Sequence, residues 1–156
     1  MQFGATETLR RVRALGLPRT VVQGFVEHGR KLGRTLGFPT ANIRVPPGCQ
    51  ASRGVYATVS ELADGRRVAG VASLGLNPTV PILEPRLEVW LFDFDEDLYG
   101  QFVRTELVAY LRPERAFESL DALKAQVVKD AELSRLIHRA PDPPSCLEPA
   151  QRTRRL

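Results

Sequence analysis

Thr40 and Asn42 stand at i and i+2 within GRTLGFPTANI, the stretch from Gly33 to Ile43. In an extended segment such positions share one side, so a hydroxyl and an amide carbonyl project together. That pair of hard oxygens suits Mg²⁺, which keeps several waters and shares the phosphates of a substrate. The plainer alternative is an ordinary turn, where Thr and Asn are common. Two glycines and a proline nearby mark backbone that bends tightly or lets a ligand come close. Just upstream, GRKLGRT (29–35) comes near a P-loop but has three residues between its glycines and then Arg34. A P-loop needs four, then Lys, and must open into a helix; FPTANIRV, with its proline and β-branched residues, does not. Glycines beside Arg30, Lys31 and Arg34 still suit a phosphate cradle, since free backbone N–H groups and guanidinium forks match phosphate oxygens. A plain basic loop is the alternative.

Glu88 is a second candidate. Strand alternation places Glu88, Trp90, Phe92 and Phe94 on one face and Leu87, Val89 and Leu91 on the other. Both faces are largely apolar, so the carboxylate is expected to be partly enclosed. Burial there would favour a general base; a structural ion pair is the competing explanation. In RPERAF, Arg112, Arg115 and Phe117 could clamp a flat polar ring by stacking and hydrogen bonding. The local alternative is a solvated connection with Phe117 tucked under the following helix. With two histidines, His28 and His138, a His-rich metal site is excluded, and with two separated cysteines, Cys49 and Cys146, no Ser-His-Asp or Cys-His triad can be argued. The cysteines are read as free thiols of a reducing cytoplasm.

These residues need elements to hold them. Leu9, Val12 and Leu15 suggest a short helix from Thr6 to Leu15, closed by Gly16 and Pro18. TVVQGFVEH (20–28) reads as a strand. VYATVSEL and RRVAGVASL read as two more, joined by a hairpin over Ala63-Asp64-Gly65-Arg66. RLEVWLFDF (86–94) and QFVRTELVAYL (101–111) are the longest strand candidates. A helix then runs from about Leu120 to His138, with a stripe of Leu120, Leu123, Val127, Leu133 and Ile137 and Ser119 as N-cap. The proline-rich tail from Pro141 onward is expected to be disordered. Short strands in succession and then one helix predict a mainly β protein, an antiparallel barrel or sandwich with a helix outside.

The chain has 156 residues, 43% of them hydrophobic and 26% charged, which suits one globular domain. No apolar run reaches the roughly 18 residues of a membrane span. A formal charge of +4 permits an anionic partner. A nucleic-acid barrel would interleave aromatics with Lys and Arg on one strand face, whereas the exposed candidates here carry Glu88 and Asp93 instead.

Together, HGRKLGRTLGFPTANI, GVYA, GLNPT, LEVWLFDFDEDLYG and LRPERAFESLDAL, in this order and spacing, resemble the riboflavin kinase (flavokinase) family from about Thr20 to Ala140. The resemblance implies a six-stranded antiparallel Greek-key-like β-barrel with a C-terminal helix, spanning 19–140 between a short extension (1–18) and a tail (141–156). It implies transfer of the γ-phosphoryl of ATP to the 5′-hydroxyl of riboflavin. Glu88 would be the catalytic base, and Thr40 and Asn42 the Mg²⁺ ligands. His28, Gly33, Arg34, Gly37, Thr40, Asn42, Leu91, Asp93 and Tyr99 would bind ATP, and Arg112, Arg115 and Phe117 the flavin. Many bacterial members carry an FMN adenylyltransferase domain ahead of the kinase. Some twenty residues precede the first strand here, so FAD synthesis is not expected of this chain. The further expectations are a cytoplasmic monomer acting on riboflavin and ATP, with no nucleic-acid or membrane partner. A catalytically silent flavin-binding regulatory module is the alternative.

Overall fold

The alternating segments fold into six strands, β1 (Thr20–Glu27), β2 (Thr40–Arg44), β3 (Gly54–Glu61), β4 (Arg67–Leu76), β5 (Pro85–Leu91) and β6 (Phe102–Arg112), followed by the helix α1 (Leu120–Arg139). The computed structural model describes residues 20–29, 36–76 and 84–139. The expected helix over Thr6–Leu15 and the tail from Pro141 lie outside them.

All neighbouring strands pair antiparallel, in the closed order β1-β2-β5-β4-β3-β6. Hairpin neighbours β3 and β4 are joined by the expected Asp-Gly turn. Gly65 has φ 89°, a left-handed value that suits glycine, and Asp64 Oδ1 accepts the Arg66 N–H at 2.9 Å. The pairings β2·β5 and β3·β6 are long-range crossovers, which makes the barrel Greek-key-like.

Alternation decides which side chains fill the barrel. Val22, Ile43, Leu87, Val89, Val103 and Leu107 point inward and are buried in one core cluster. The same rule sends Thr40, Asn42, Glu88 and Ser73 to the outer surface. β5 ends at Leu91, short of the expected Phe94, because Asp93 adopts φ 53° and turns the chain.

The helix lies across β3 and β4. Its buried residues are Asp130, Ala131, Ser134 and Ile137, while Leu120, expected in the apolar stripe, is 55% exposed. Small side chains win because the helix approaches closely: Ser134 Oγ donates to the Gly70 carbonyl at 2.7 Å. Ser119 caps it as expected, its Oγ accepting the Ala122 N–H at 3.1 Å. Among the described residues no helix is long and apolar enough to cross a membrane.

Candidate active site

Cross-strand register assembles the outer face. Asn42 sits opposite Glu88, Glu88 opposite Ser73, Ser73 opposite Val55, and Val55 opposite Arg112. Directly opposed residues share a face about 4.5–5.5 Å apart. A row therefore crosses five strands, from the amide of β2 through the carboxylate of β5 to the guanidinium at the end of β6. Thr40 lies one step along, opposite Trp90.

Asn42 is buried, 8% exposed, with Gly29 packed against it. A Cβ at Gly29 would overlap the Asn42 amide, so the glycine backbone lies directly on that side chain. Glu88 is exposed, which corrects the expected enclosure. Its aromatic neighbours pack further along the strand instead. Trp90 meets Phe38 at 4.7 Å, and Phe92 lies beneath Arg135, whose guanidinium is 4.1 Å from the ring centroid. These contacts draw the rings away along the strand and leave Glu88 exposed.

A cleft of about 280 Å³ opens at the β2 end of the row. His28, Gly29, Thr40 and Asn42 line it together with an acidic wall of Asp95, Glu96 and Asp97, and with Tyr99, Val89 and Leu91. The His28 and Tyr99 rings stack, with centroids 3.7 Å apart at 17°. Backbone bonds from Gly100 to Val26 and from Val26 to Gln101, both 2.9 Å, pin the Tyr99 turn to β1. Arg66 bridges Asp64 and Glu96 at 2.7 and 2.6 Å. Its hydrogen bonds hold the Glu96 carboxyl below the usual range, and its backbone N–H does the same for Asp64.

Of the nucleotide residues expected from sequence, His28, Thr40, Asn42, Leu91 and Tyr99 gather around this cleft. Asp93 does not line it; its 86%-exposed side chain pairs with Arg135 at 3.2 Å. Gly37 sits before β2 at φ 88° with open space around it. Gly33 and Arg34 lie outside the described residues.

At the other end of the row, Arg112 donates from Nε to Asp130 Oδ1 at 3.0 Å and from Nη2 to Oδ2 at 2.8 Å. Its Nη1 reaches the Pro113 carbonyl at 3.0 Å. Arg112 and Arg115 both lie over Phe117, 5.7 and 4.9 Å from the ring centroid. Sequence reasoning missed Ser73, Asp130 and the acidic wall 95–97. Ser73 carries no local signal, because only register sets it beside Glu88. Asp130 gave no local sign, because it stands between Lys129 and Glu132 and reads as part of a solvated helix face.

Oxygen donors, a carboxylate and a cation-aromatic loop along one open row are what a small-molecule phosphotransferase needs. Among the described residues no group of three or more His, Cys, Asp or Glu could hold a metal. Residues 17–138 match the Flavokinase (riboflavin kinase) family, and the chain belongs to it. It is 46% identical over 121 residues to the bifunctional riboflavin kinase/FMN adenylyltransferase of Haemophilus influenzae, covering 78% of this chain and 39% of that one. The Escherichia coli K12 protein of the same name is 44% identical over 110 residues, covering 70% and 35%. The chain thus spans less than two fifths of these relatives. Riboflavin kinase from Trypanosoma brucei, at 22% identity, shares the fold with a TM-score of 0.58 over 81% of this chain and 83% of that one.

Proposed function

We propose that this chain transfers the γ-phosphoryl of ATP to the 5′-hydroxyl of riboflavin, giving FMN and ADP. The observation that carries this reading is the register of Glu88 between Asn42 and Ser73. It sets the carboxylate between the nucleotide-sized cleft and the Arg-Phe loop. Adenosine would enter the cleft against the His28–Tyr99 stack, with ribose hydroxyls donating to the acidic wall. The phosphates would then extend toward Thr40 and Asn42.

The Thr40 hydroxyl and Asn42 carbonyl are the oxygens that would hold Mg²⁺, and Gly29 keeps the amide aimed. Bound there, the cation would neutralise charge on the transferring phosphoryl group. Riboflavin would lie along the row with its ring toward Arg115 and Phe117. Glu88 would orient the ribityl hydroxyl and take its proton as the oxygen bonds to phosphorus and the bond to the ADP oxygen breaks. The transition state is loose, so this positioning does most of the work. Because Glu88 is open to water in the free protein, substrate docking itself must supply the dry environment.

Incubating the chain with riboflavin, ATP and Mg²⁺ and separating flavins by chromatography tests the reading. FMN should form with one ADP per turnover. Tight riboflavin binding without any FMN would instead identify a silent flavin-binding module.

A further inference from the structure

The loop after β6 is anchored by side chains that no part of the proposed chemistry uses. Asp130, 4% exposed on the buried side of α1, accepts the Arg112 fork and also the Gln126 Nε2 donor at 2.9 Å. An ionised carboxylate only accepts, so the Gln126 amide must turn its nitrogen toward Asp130. Its carbonyl oxygen is thereby left facing the loop, where Arg115 Nη2 donates to it at 3.0 Å. The three Arg112 nitrogens are all engaged with Asp130 or Pro113. Arg115 differs. It is exposed, and the Gln126 bond uses one of its five donors. Phe117 beneath it fixes the plane of the guanidinium.

Resting on the riboflavin reading above, we infer that Asp130 and Gln126 are positioning residues that set Arg115 for the flavin ring. Arg112 belongs to the same device and acts through Asp130 rather than on the ligand. Asp130 fixes the amide, the amide fixes Arg115, and the free edge of Arg115 meets a polar edge of the isoalloxazine. The loop itself is seated: a Cβ at Gly75 would overlap the Glu114 carboxylate, so the loop rests directly on the β4 backbone.

Gln126→Met tests this in the full chain, because methionine keeps the length and helix propensity but offers Arg115 only a weak thioether acceptor in place of the amide carbonyl. Riboflavin affinity is read by flavin fluorescence, KM is measured for both substrates, and tryptic cleavage after Arg115 is followed without ligand. The riboflavin Kd should rise roughly tenfold, as expected for one lost charged hydrogen bond. Cleavage after Arg115 should accelerate and KM for ATP stay unchanged, while melting falls by no more than about 2–4 °C, because Asp130 loses the Gln126 donor but keeps Arg112. Asp130→Asn should shift riboflavin affinity at least as far, since asparagine can turn a donor toward Gln126 and release the amide. If that variant folds poorly, Gln126→Met still decides. An unchanged riboflavin Kd in Gln126→Met, or equal losses for both substrates, would overturn the inference. Wild-type protein that does not bind riboflavin would overturn the functional reading along with it, and the wild-type titration separates the two failures.

Discussion

Replacing Gly29 by alanine puts a methyl carbon on top of the Asn42 amide, overlapping Nδ2, Cγ and Oδ1. No real contact is that short, so something must shift. The atoms in the way are the end of one side chain, and the backbone at Gly29 is not in the left-handed region. The fold can therefore absorb the methyl by driving Asn42 off its rotamer, at about 0.5–1.5 kcal/mol. At about 2–4 °C per kcal/mol for a chain of this size, melting should fall by roughly 1–6 °C. The effect on nucleotide use should be larger. An oxygen that serves a charged group contributes about 1.5–3 kcal/mol, so KM for ATP should rise by roughly 10- to 150-fold. KM for riboflavin should change little. Steady-state kinetics on Gly29→Ala, Asn42→Ala and the double variant make the test. If Gly29 acts only through Asn42, the double variant is no worse than Asn42→Ala alone. Additive losses, or an ATP KM that stays at the wild-type value, would refute the argument.

Two other predictions concern stability. Ser119→Ala removes the helix cap at a cost of about 1 kcal/mol, so calorimetry should show melting lowered by about 2–4 °C with both KM values retained. Burial pushes the His138 imidazole below its ordinary value of 6.5, against a smaller upward effect from its bond to the Thr58 carbonyl and from the Glu106 charge. The unfolded chain therefore binds the proton first. Stability should be full above about pH 6.5 and decline as pH falls through that value toward the depressed folded pKa. His138→Gln, scanned from pH 8 to 5, should flatten that decline; an equally steep profile would remove His138 as its source.

Much of the barrel was legible because local chemistry and tertiary context agreed. Asp64-Gly65 demanded a turn, and Val22, Val89 and Val103 fell on the inward beat of their strands. Thr40 and Asn42 were legible too, since their spacing of two survives in any strand. Glu88 was half legible. Alternation gave its face correctly, but no local rule told that Trp90 and Phe92 would pack toward Phe38 and α1 and leave it open. The row from Asn42 through Ser73 to Arg112 was hidden, since it depends on pairing strands far apart in sequence and on the bulge between Val55 and Tyr56. Asp130 was hidden for the opposite reason: an acidic residue on a helix reads as solvated until its arginine is seen.

Glu88→Gln, measured for turnover and melting on one preparation, tests the central claim most directly. The side chain is exposed, so the substitution should shift stability by no more than about 0.5 kcal/mol. Affinities for riboflavin and ATP should hold, because the amide keeps the shape and can still hydrogen-bond the ribityl hydroxyl. FMN formation should fall by about two to four orders of magnitude, the usual contribution of a general base. A glutamine variant that folds normally and makes FMN at the wild-type rate would contradict the account.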